Sequence, residues 1–291
     1  MSTTNKKILV IGATGMLGKP VAQQLLKDGF AVRVLARNPQ KAKSLLGEGF
    51  EIAQGDFDDT ASLEAAMQNC DGVHISIKGN GLSAKEFERV DYLAVKRIAE
   101  TAKKMGVGRI TVTSAYAVSA EKGDTPESIS KHKGELALKA TGVPYVIFRC
   151  SWFMETLPMF VQGKEVMLIG NQPHPLHWVA VEDYTHMVSK SYQTDAVLNK
   201  ELYIFGPEAF TMGEAMKQYA AQNSLKFASM PRWMLSTLGM LTFNAEWKNT
   251  ALLMNHYERW GEDGSPEEAN QLLGTPKITL SDWCKHNKIS A

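Results

Sequence analysis

Three glycines, Gly12, Gly15 and Gly18, follow the apolar run Ile8-Leu9-Val10-Ile11 and lead into Leu17, Val21, Leu25 and Leu26, which recur at helical spacing. Four consecutive apolar residues read as a short strand buried on both faces. The glycines therefore lie on a turn between a strand and a helix. Gly12 permits the tight turn, Gly15 lets backbone approach a pyrophosphate, and Gly18 lets the helix pack against the strand. The amide groups at the helix start, together with its dipole, suit an anion. An ordinary strand–helix turn is the plain alternative. The order of strand, glycines and helix is the one a dinucleotide site requires. Gly12, Thr14, Gly15, Met16, Leu17 and Gly18 are the expected phosphate cradle.

The rest of the chain repeats this alternation. Ala31–Ala36 is a second strand, and Arg37, Asn38-Pro39 and Lys41 follow it. In dinucleotide folds the residue there meets the adenosine ribose, and an acid would accept its hydroxyl. A guanidinium suits a 2′-phosphate instead, so Arg37 and Lys41 point to NADP(H) over NAD. Phe50–Asp56 is a third strand, with Asp56 and Phe57 expected at the adenine edge. Asp56 could also cap the helix that follows. Val73–Ile77 is a fourth strand, and Ile77 with the loop Lys78-Gly79-Asn80-Gly81 should border the nicotinamide half. One helix is expected from Ala84 to Met105, with Phe87, Val90, Ala94, Ile98 and Met105 on one face. Arg109–Thr113 and Val143–Arg149 are the fifth and sixth strands, separated by a helix that Gly142 should end. Five strand–helix alternations imply an α/β fold with a doubly wound parallel sheet.

Composition supports this reading. Of 291 residues, 44% are hydrophobic, enough for a sizeable core. A formal net charge of +1 without basic blocks argues against nucleic acid. Cys70, Cys150 and Cys284 lie far apart, as a reducing compartment allows, and no histidine–carboxylate constellation implies a metal. The polar start lacks a signal-peptide pattern and no stretch is apolar enough to span a bilayer, so a cytoplasmic protein without membrane attachment is expected.

GATGMLG resembles the turn of extended and atypical short-chain dehydrogenase/reductases. KHKGELALKATGVPYVIFRCSWFMET, which begins at Lys131, is similar to a block of the NmrA-like members: isoflavone-reductase-like enzymes, quinone and triphenylmethane reductases, and NmrA regulators. The resemblance covers residues 6 to about 160, with a looser match near Trp178 to Asp183. It implies a Rossmann NAD(P)-binding fold and an active-site serine or threonine where Ser114-Ala115-Tyr116 close the fifth strand. Small polar residues merely ending a strand would look the same. The superfamily's Tyr-x-x-x-Lys is broken, because Glu127 stands four residues before Lys131. The resemblance implies that Lys131 holds the nicotinamide ribose and relays a proton, its pKa lowered by burial. An exposed helix lysine is the alternative. Ser114 or Tyr116 would polarise the acceptor.

Residues 1–155 are thus expected to form the Rossmann domain and 156–291 a smaller, interleaved α/β substrate lobe. Trp152-Phe153 would wall a pocket or fill core between the lobes. Met230–Thr242 would line the cleft or fill the lobe. Thr211–Glu214 and Thr279–Asp282 read as capping boxes. The expected function is an NADP(H)-dependent oxidoreductase acting on a small hydrophobic or conjugated acceptor. Its rival is a non-catalytic NADP(H) sensor working through a protein partner, which the missing tyrosine favours. A nucleotide-sugar epimerase or dehydratase is weakened by the same loss.

Overall fold

The computed structural model describes residues 6–79, 81, 83–121, 123, 125–241 and 245–288. Asn80 and Thr242, each singled out above, lie outside the described residues. Six strands, β1 (Lys7–Ile11), β2 (Ala31–Ala36), β3 (Glu51–Gln54), β4 (Gly72–Ile75), β5 (Arg109–Ala115) and β6 (Tyr145–Cys150), form a parallel sheet in the order 3-2-1-4-5-6. After β7 (Val161–Gln162), β8 (Glu165–Ile169) and β9 (Leu176–His177), strand β10 (Lys200–Ile204) returns to pair in parallel with β6 as a seventh member. The β1–β2 and β1–β4 registers place strands on both sides of β1, so the order reverses there. A crevice at the carboxyl ends of strands belongs at such a reversal.

Alternation within the strands explains the two faces. Ile8, Val10, Val34, Val146 and Phe148 enter one core, while Leu9, Ile11, Val73, Ile110 and Ile147 enter the other. On the first face α1 (Gly18–Lys27) packs against a later helix, Val181–Ser191. On the second lie α2's successors: after α2 (Pro39–Leu46), α3 (Thr60–Met67) packs on the long segment that leads to β5. That segment departs from expectation. It runs as α4 (Ala84–Phe87), a π-helical stretch Glu88–Ala94 and α5 (Val95–Lys104), and the wider turns bury Asp91 beside Val90 and Ala94. The next helix, α6 (Pro126–Ala140), crosses this stretch closely because Gly134 has no side chain. A Cβ there would sit 2.1 Å from the Asp91 carbonyl oxygen.

The remaining elements are α7 (Val181–Ser191), α8 (Met212–Gln222), α9 (Arg232–Leu241), α10 (Ala245–Arg259), α11 (Glu267–Leu273) and α12 (Leu280–His286), with β11 (Ala209–Phe210) and β12 (Lys226–Met230). Strand β12 pairs with β8, and β8 with β7. A third core gathers Met154, Leu157, Leu168, Trp178, Met216, Tyr219 and Trp283. The Thr211–Glu214 capping box has both of its reciprocal hydrogen bonds. At Thr279 the hydroxyl accepts from the Asp282 amide. No helix among the described residues is long and apolar enough to cross a membrane.

Gly134→Ala tests the crossing. Alanine would gain about 1 kcal/mol in helix propensity, but a contact of 2.1 Å to backbone must be relieved by moving a helix. Overpacking of that kind costs about 1–3 kcal/mol, so the urea midpoint should fall. A rise in midpoint would mean that the two helices do not touch at this point.

Candidate functional site

The β1 and β4 loops meet where the strand order reverses. Gly12 has a φ of +93°, and a Cβ there would lie 2.0 Å from the Ser76 carbonyl oxygen. The Gly15 amide donates to the Gly12 carbonyl at 2.9 Å, which closes the turn. At Gly15 an added Cβ meets only that carbonyl, at 3.3 Å. Leu17 is the N-cap of α1 and makes no side-chain hydrogen bond to the first turn. Asn38 and Asp59, by contrast, cap α2 and α3 with their side chains. Within the first turn of α1 the Lys19 amide already donates to the Gly15 carbonyl at 3.1 Å and Pro20 has no N–H. The backbone that borders the cavity is therefore the turn itself, Thr14 to Leu17, beside the positive end of the α1 dipole, which is an arrangement an anionic ligand fits.

The cavity has a volume of about 940 Å³. Gly12, Thr14, Gly15, Met16, Leu17, Arg37, Lys41, Asp56, Phe57, Ile77, Lys78, Ser114, Tyr116 and Lys131 all border it. Gly18 does not. A Cβ on it would come within 2.2 Å of the Gly12 carbonyl oxygen, so it serves the packing beneath the turn. At the far end the Arg37 side chain is 72% exposed and its Nε lies 3.9 Å from an Asp56 oxygen. Asp56 does not cap α3, because Asp59 accepts from Ala61 and Ser62 there. Asp56 accepts instead from the Asp58 amide. Phe57 is backed by the Arg89 guanidinium, 5.4 Å from its ring centre.

Ser114 is placed differently from the role expected of it. Its hydroxyl donates to Glu135 Oε1 at 2.5 Å, and Arg149 Nη2 holds the other Glu135 oxygen at 2.8 Å. In this arrangement the Ser114 hydrogen is committed to a buried carboxyl group and is not offered to an acceptor in the cavity. Tyr116 is 2% exposed, and among the described residues its Oη has no hydrogen-bond partner. Burial, aided by the Glu262 carboxylate, holds the phenol far above its ordinary value and therefore neutral. The Trp152 indole N–H pulls the other way without reaching hydrogen-bond geometry, and it too is buried and unpartnered among the described residues.

Lys131 is neither an exposed lysine nor one lowered by burial. Its Nζ lies 2.6 Å from Asp91 Oδ1 and 3.7 Å from Glu127 Oε1. Burial opposes its charge, but the Asp91 and Glu127 carboxylates outweigh that and hold it above the ordinary lysine range. The expected lowering is thus reversed, and at neutral pH Lys131 is a fixed ammonium rather than a base. Asp91 was invisible to pattern reading. It sits among core positions of a helix, and its partner is 40 residues away. Glu127 moves the opposite way to a normal carboxylate: burial raises it and Asp91 adds to this, while Lys131, Lys78 and His256 resist.

Beyond Lys131 the cavity acquires aromatic walls. Trp152 packs edge-on to Tyr257 at 5.0 Å and lies 6.0 Å from Phe160. Tyr257, Leu253 and Met254 come from α10, which no motif marked. Helix α9, from the stretch expected either to line the cleft or to fill the lobe, does not border the cavity. Leu235 is buried, while Trp233 and Leu241 are 67% and 73% exposed. Among the described residues no group of three or more His, Cys, Asp or Glu could hold a metal ion.

A family model described as NAD(P)H-binding matches residues 12–175. The chain is 27% identical over 286 residues to a (4-alkanoyl-5-oxo-2,5-dihydrofuran-3-yl)methyl phosphate reductase of Streptomyces griseus, covering 95% of this chain and 96% of that protein. It is 24% identical over 246 residues to the photosystem II assembly factor Ycf39 of Trieres chinensis, covering 82% and 77%. Its fold is similar to that of the Citrobacter sp. triphenylmethane reductase crystallised with NADP(H), with a TM-score of 0.77, 20% identity, and coverage of 96% and 99%.

Lys131→Met should expose how the charges are balanced. It leaves two carboxyl groups with no cation, and breaking a largely buried pair in this way costs about 3 kcal/mol at pH 7. The deficit should shrink toward pH 5, where the stranded carboxyls can take up protons. In the wild type the contribution of the raised ammonium is complete below the ordinary lysine value of 10.5. It is lost only as pH climbs beyond that value toward the raised one. Denaturant melts of both proteins at pH 5 and 7 measure the effect, and equal stability at pH 7 would contradict it.

Proposed function

Because the chain belongs to the NAD(P)H-binding family, we propose that it is an NADP(H)-dependent oxidoreductase of the NmrA-like kind that reduces a small hydrophobic or conjugated acceptor, such as a quinone, enone or carbonyl. One observation carries the reading. One continuous cavity runs from the glycine turn before α1 and the basic pair Arg37 and Lys41, past Lys131, to a chamber walled by Trp152, Phe160 and Tyr257. Its first part matches a dinucleotide in charge, and its second matches a flat apolar molecule.

When bound, the cofactor supplies the hydride. The backbone of the glycine turn at the N-terminus of α1 holds its pyrophosphate, while Arg37 and Lys41 take the 2′-phosphate. Lys131, anchored by Asp91, presents its ammonium to the nicotinamide ribose. The aromatic walls stack the acceptor and exclude water. The buried donors Tyr116 Oη and Trp152 Nε1 stand beside that chamber and can orient an acceptor oxygen. Residues 1–155 act as the cofactor part and 156–291 as an interleaved substrate part, joined through β10. The three free, buried cysteines suit a reducing, cytoplasmic setting. The similarity to a reductase along nearly the whole chain supports turnover.

A second reading keeps the cofactor and drops the turnover. Trp233 and Leu241 on α9, and Trp247 and Leu252 on α10, expose apolar surface that a protein partner could cover. The similarity to an assembly factor supports that alternative.

Calorimetric titration with NADPH and NADH tests the cofactor. Charge-assisted contacts are worth about 1.5–3 kcal/mol each, so at least a tenfold preference for NADPH is expected. Arg37→Ala should erase most of that preference. Gly15→Val should abolish binding at an unchanged melting temperature, because its side chain enters the cavity and not the core. Equal affinity for the two cofactors in the wild type would refute the assignment. A panel of menadione, cinnamaldehyde and benzaldehyde, followed by NADPH absorbance, separates reductase from sensor, since a sensor consumes none.

A further inference from the structure

Hydride delivery to a carbonyl needs a proton at the oxygen, and the groups first expected to supply it are poorly placed. Lys131 is held as an ammonium by the Asp91 carboxylate at 2.6 Å, and the Ser114 hydrogen is bound to Glu135. Burial makes the Tyr116 phenol a very weak acid. The cavity contains another candidate. Two carboxyl groups, Asp91 and Glu127, share the one ammonium of Lys131. Asp91 is 1.1 Å nearer to it, at 2.6 Å against 3.7 Å. The ammonium is therefore balanced by Asp91, and a second charge on Glu127 would be unbalanced in a site where its side chain is only 23% exposed. Like charges confined in this way cannot both ionise freely, so the carboxyl with the weaker partner keeps its proton.

We propose that Glu127 is the proton donor of the reaction: its carboxyl group, one helical turn from Lys131 in the cavity wall, protonates the acceptor as it is reduced. The inference rests on the reductase reading above. The acceptor takes a hydride from the reduced nicotinamide at carbon and the Glu127 proton at oxygen. The C=O π bond breaks, one C–H and one O–H bond form, and NADPH leaves as NADP⁺. Glu127 is left as a carboxylate, steadied by Lys131, and regains its proton from solvent. Several charged or titratable groups face it. Lys131 lies on its own helix, Asp91 on the π-helical stretch, Lys78 on the loop after β4, and His256 and Tyr257 on α10. Burial and Asp91 favour the protonated acid, whereas the cations oppose it. Glu127 also borders a second cavity of about 10 Å³, shared with His256 and Tyr257. That is close to the room one water needs and lies beside the carboxyl that must be recharged. Tyr116 borders the chamber, and its neighbours Ala115 and Ala117 border the small cavity.

Glu127→Gln keeps the shape and removes the proton. With the acceptor of the panel that wild type consumes fastest, kcat should fall by roughly 10²-fold or more. KM and the NADPH dissociation constant should stay within a few-fold. Wild-type kcat should decline as pH rises through the Glu127 titration, and the variant should lose that limb. Infrared difference spectra of the cofactor-free protein give a readout independent of turnover: a protonated carboxylic acid band at neutral pH in wild type, missing in Glu127→Gln. Wild-type kcat with an unchanged pH limb in the variant would overturn the proposal and leave the reductase reading standing. So would the absence of the infrared band in a wild type that turns over. A wild type that consumes no NADPH with any acceptor overturns the reductase reading itself, and the proton donation with it.

Discussion

Between the α-carbon of Gly12 and the carbonyl oxygen of Ser76 there is no room for a methyl group: a Cβ would lie 2.0 Å from that oxygen. The site depends on this contact. It brings the loops after β1 and β4 together where the strand order reverses, and it directs the chain into α1 at once. Gly18 repeats the constraint from the helix side, with a Cβ position 2.2 Å from the Gly12 carbonyl oxygen. Strand, turn and helix are thereby held as one unit, and the turn from Thr14 to Leu17 borders the crevice at the N-terminus of α1. A side chain at either position would push the helix away and blunt the anion site before any ligand arrived.

Charge is managed differently on the two sides of β5. Behind the cavity, Arg149 pairs with Glu135 at 2.8 Å and Glu201 at 2.6 Å, Lys139 supplies a second cation to Glu201, and Ser114 adds a hydrogen bond to Glu135. Arg149 and Glu135 are 5% and 4% exposed, so this network is a structural clasp between β6, α6 and β10. Facing the cavity, Lys131 and Glu127 are partly exposed, Asp91 is buried, and the three carry one cation for two acids. A buried network with balanced charge rigidifies its surroundings. An unbalanced one at a cavity wall stores a proton that can be moved. Ser114 looks like an active-site residue in the linear sequence, yet it belongs to the clasp.

The aromatic chamber depends on the second half of the chain. Trp152 leaves the end of β6, Phe160 ends the 3₁₀ turn that follows, and Tyr257 arrives on α10. Their edge-on and tilted contacts form a firm, dry wall. That half is not a separate attachment, because β10 completes the main sheet and α7 packs on α1 across its first face. The aromatic end of the cavity is therefore braced by the same core that holds the glycine-turn end.

The amino-acid sequence by itself determined the doubly wound sheet, the position of the glycine turn between β1 and α1, and the basic residues after β2. These follow from relations between near neighbours: apolar runs with period two or 3.6, glycines at set spacing, and a charged residue at a strand end. Tertiary structure alone decided that Asp59 rather than Asp56 caps α3, that a π-helical stretch carries Asp91 into contact with α6, and that α10 rather than α9 lines the cavity. It also reversed the expected direction of the Lys131 shift. Burial, which is all that a helix lysine near a pocket suggests, lowers a lysine. A carboxylate brought to 2.6 Å from 40 positions away raises it, and that pairing exists only once the chain has folded.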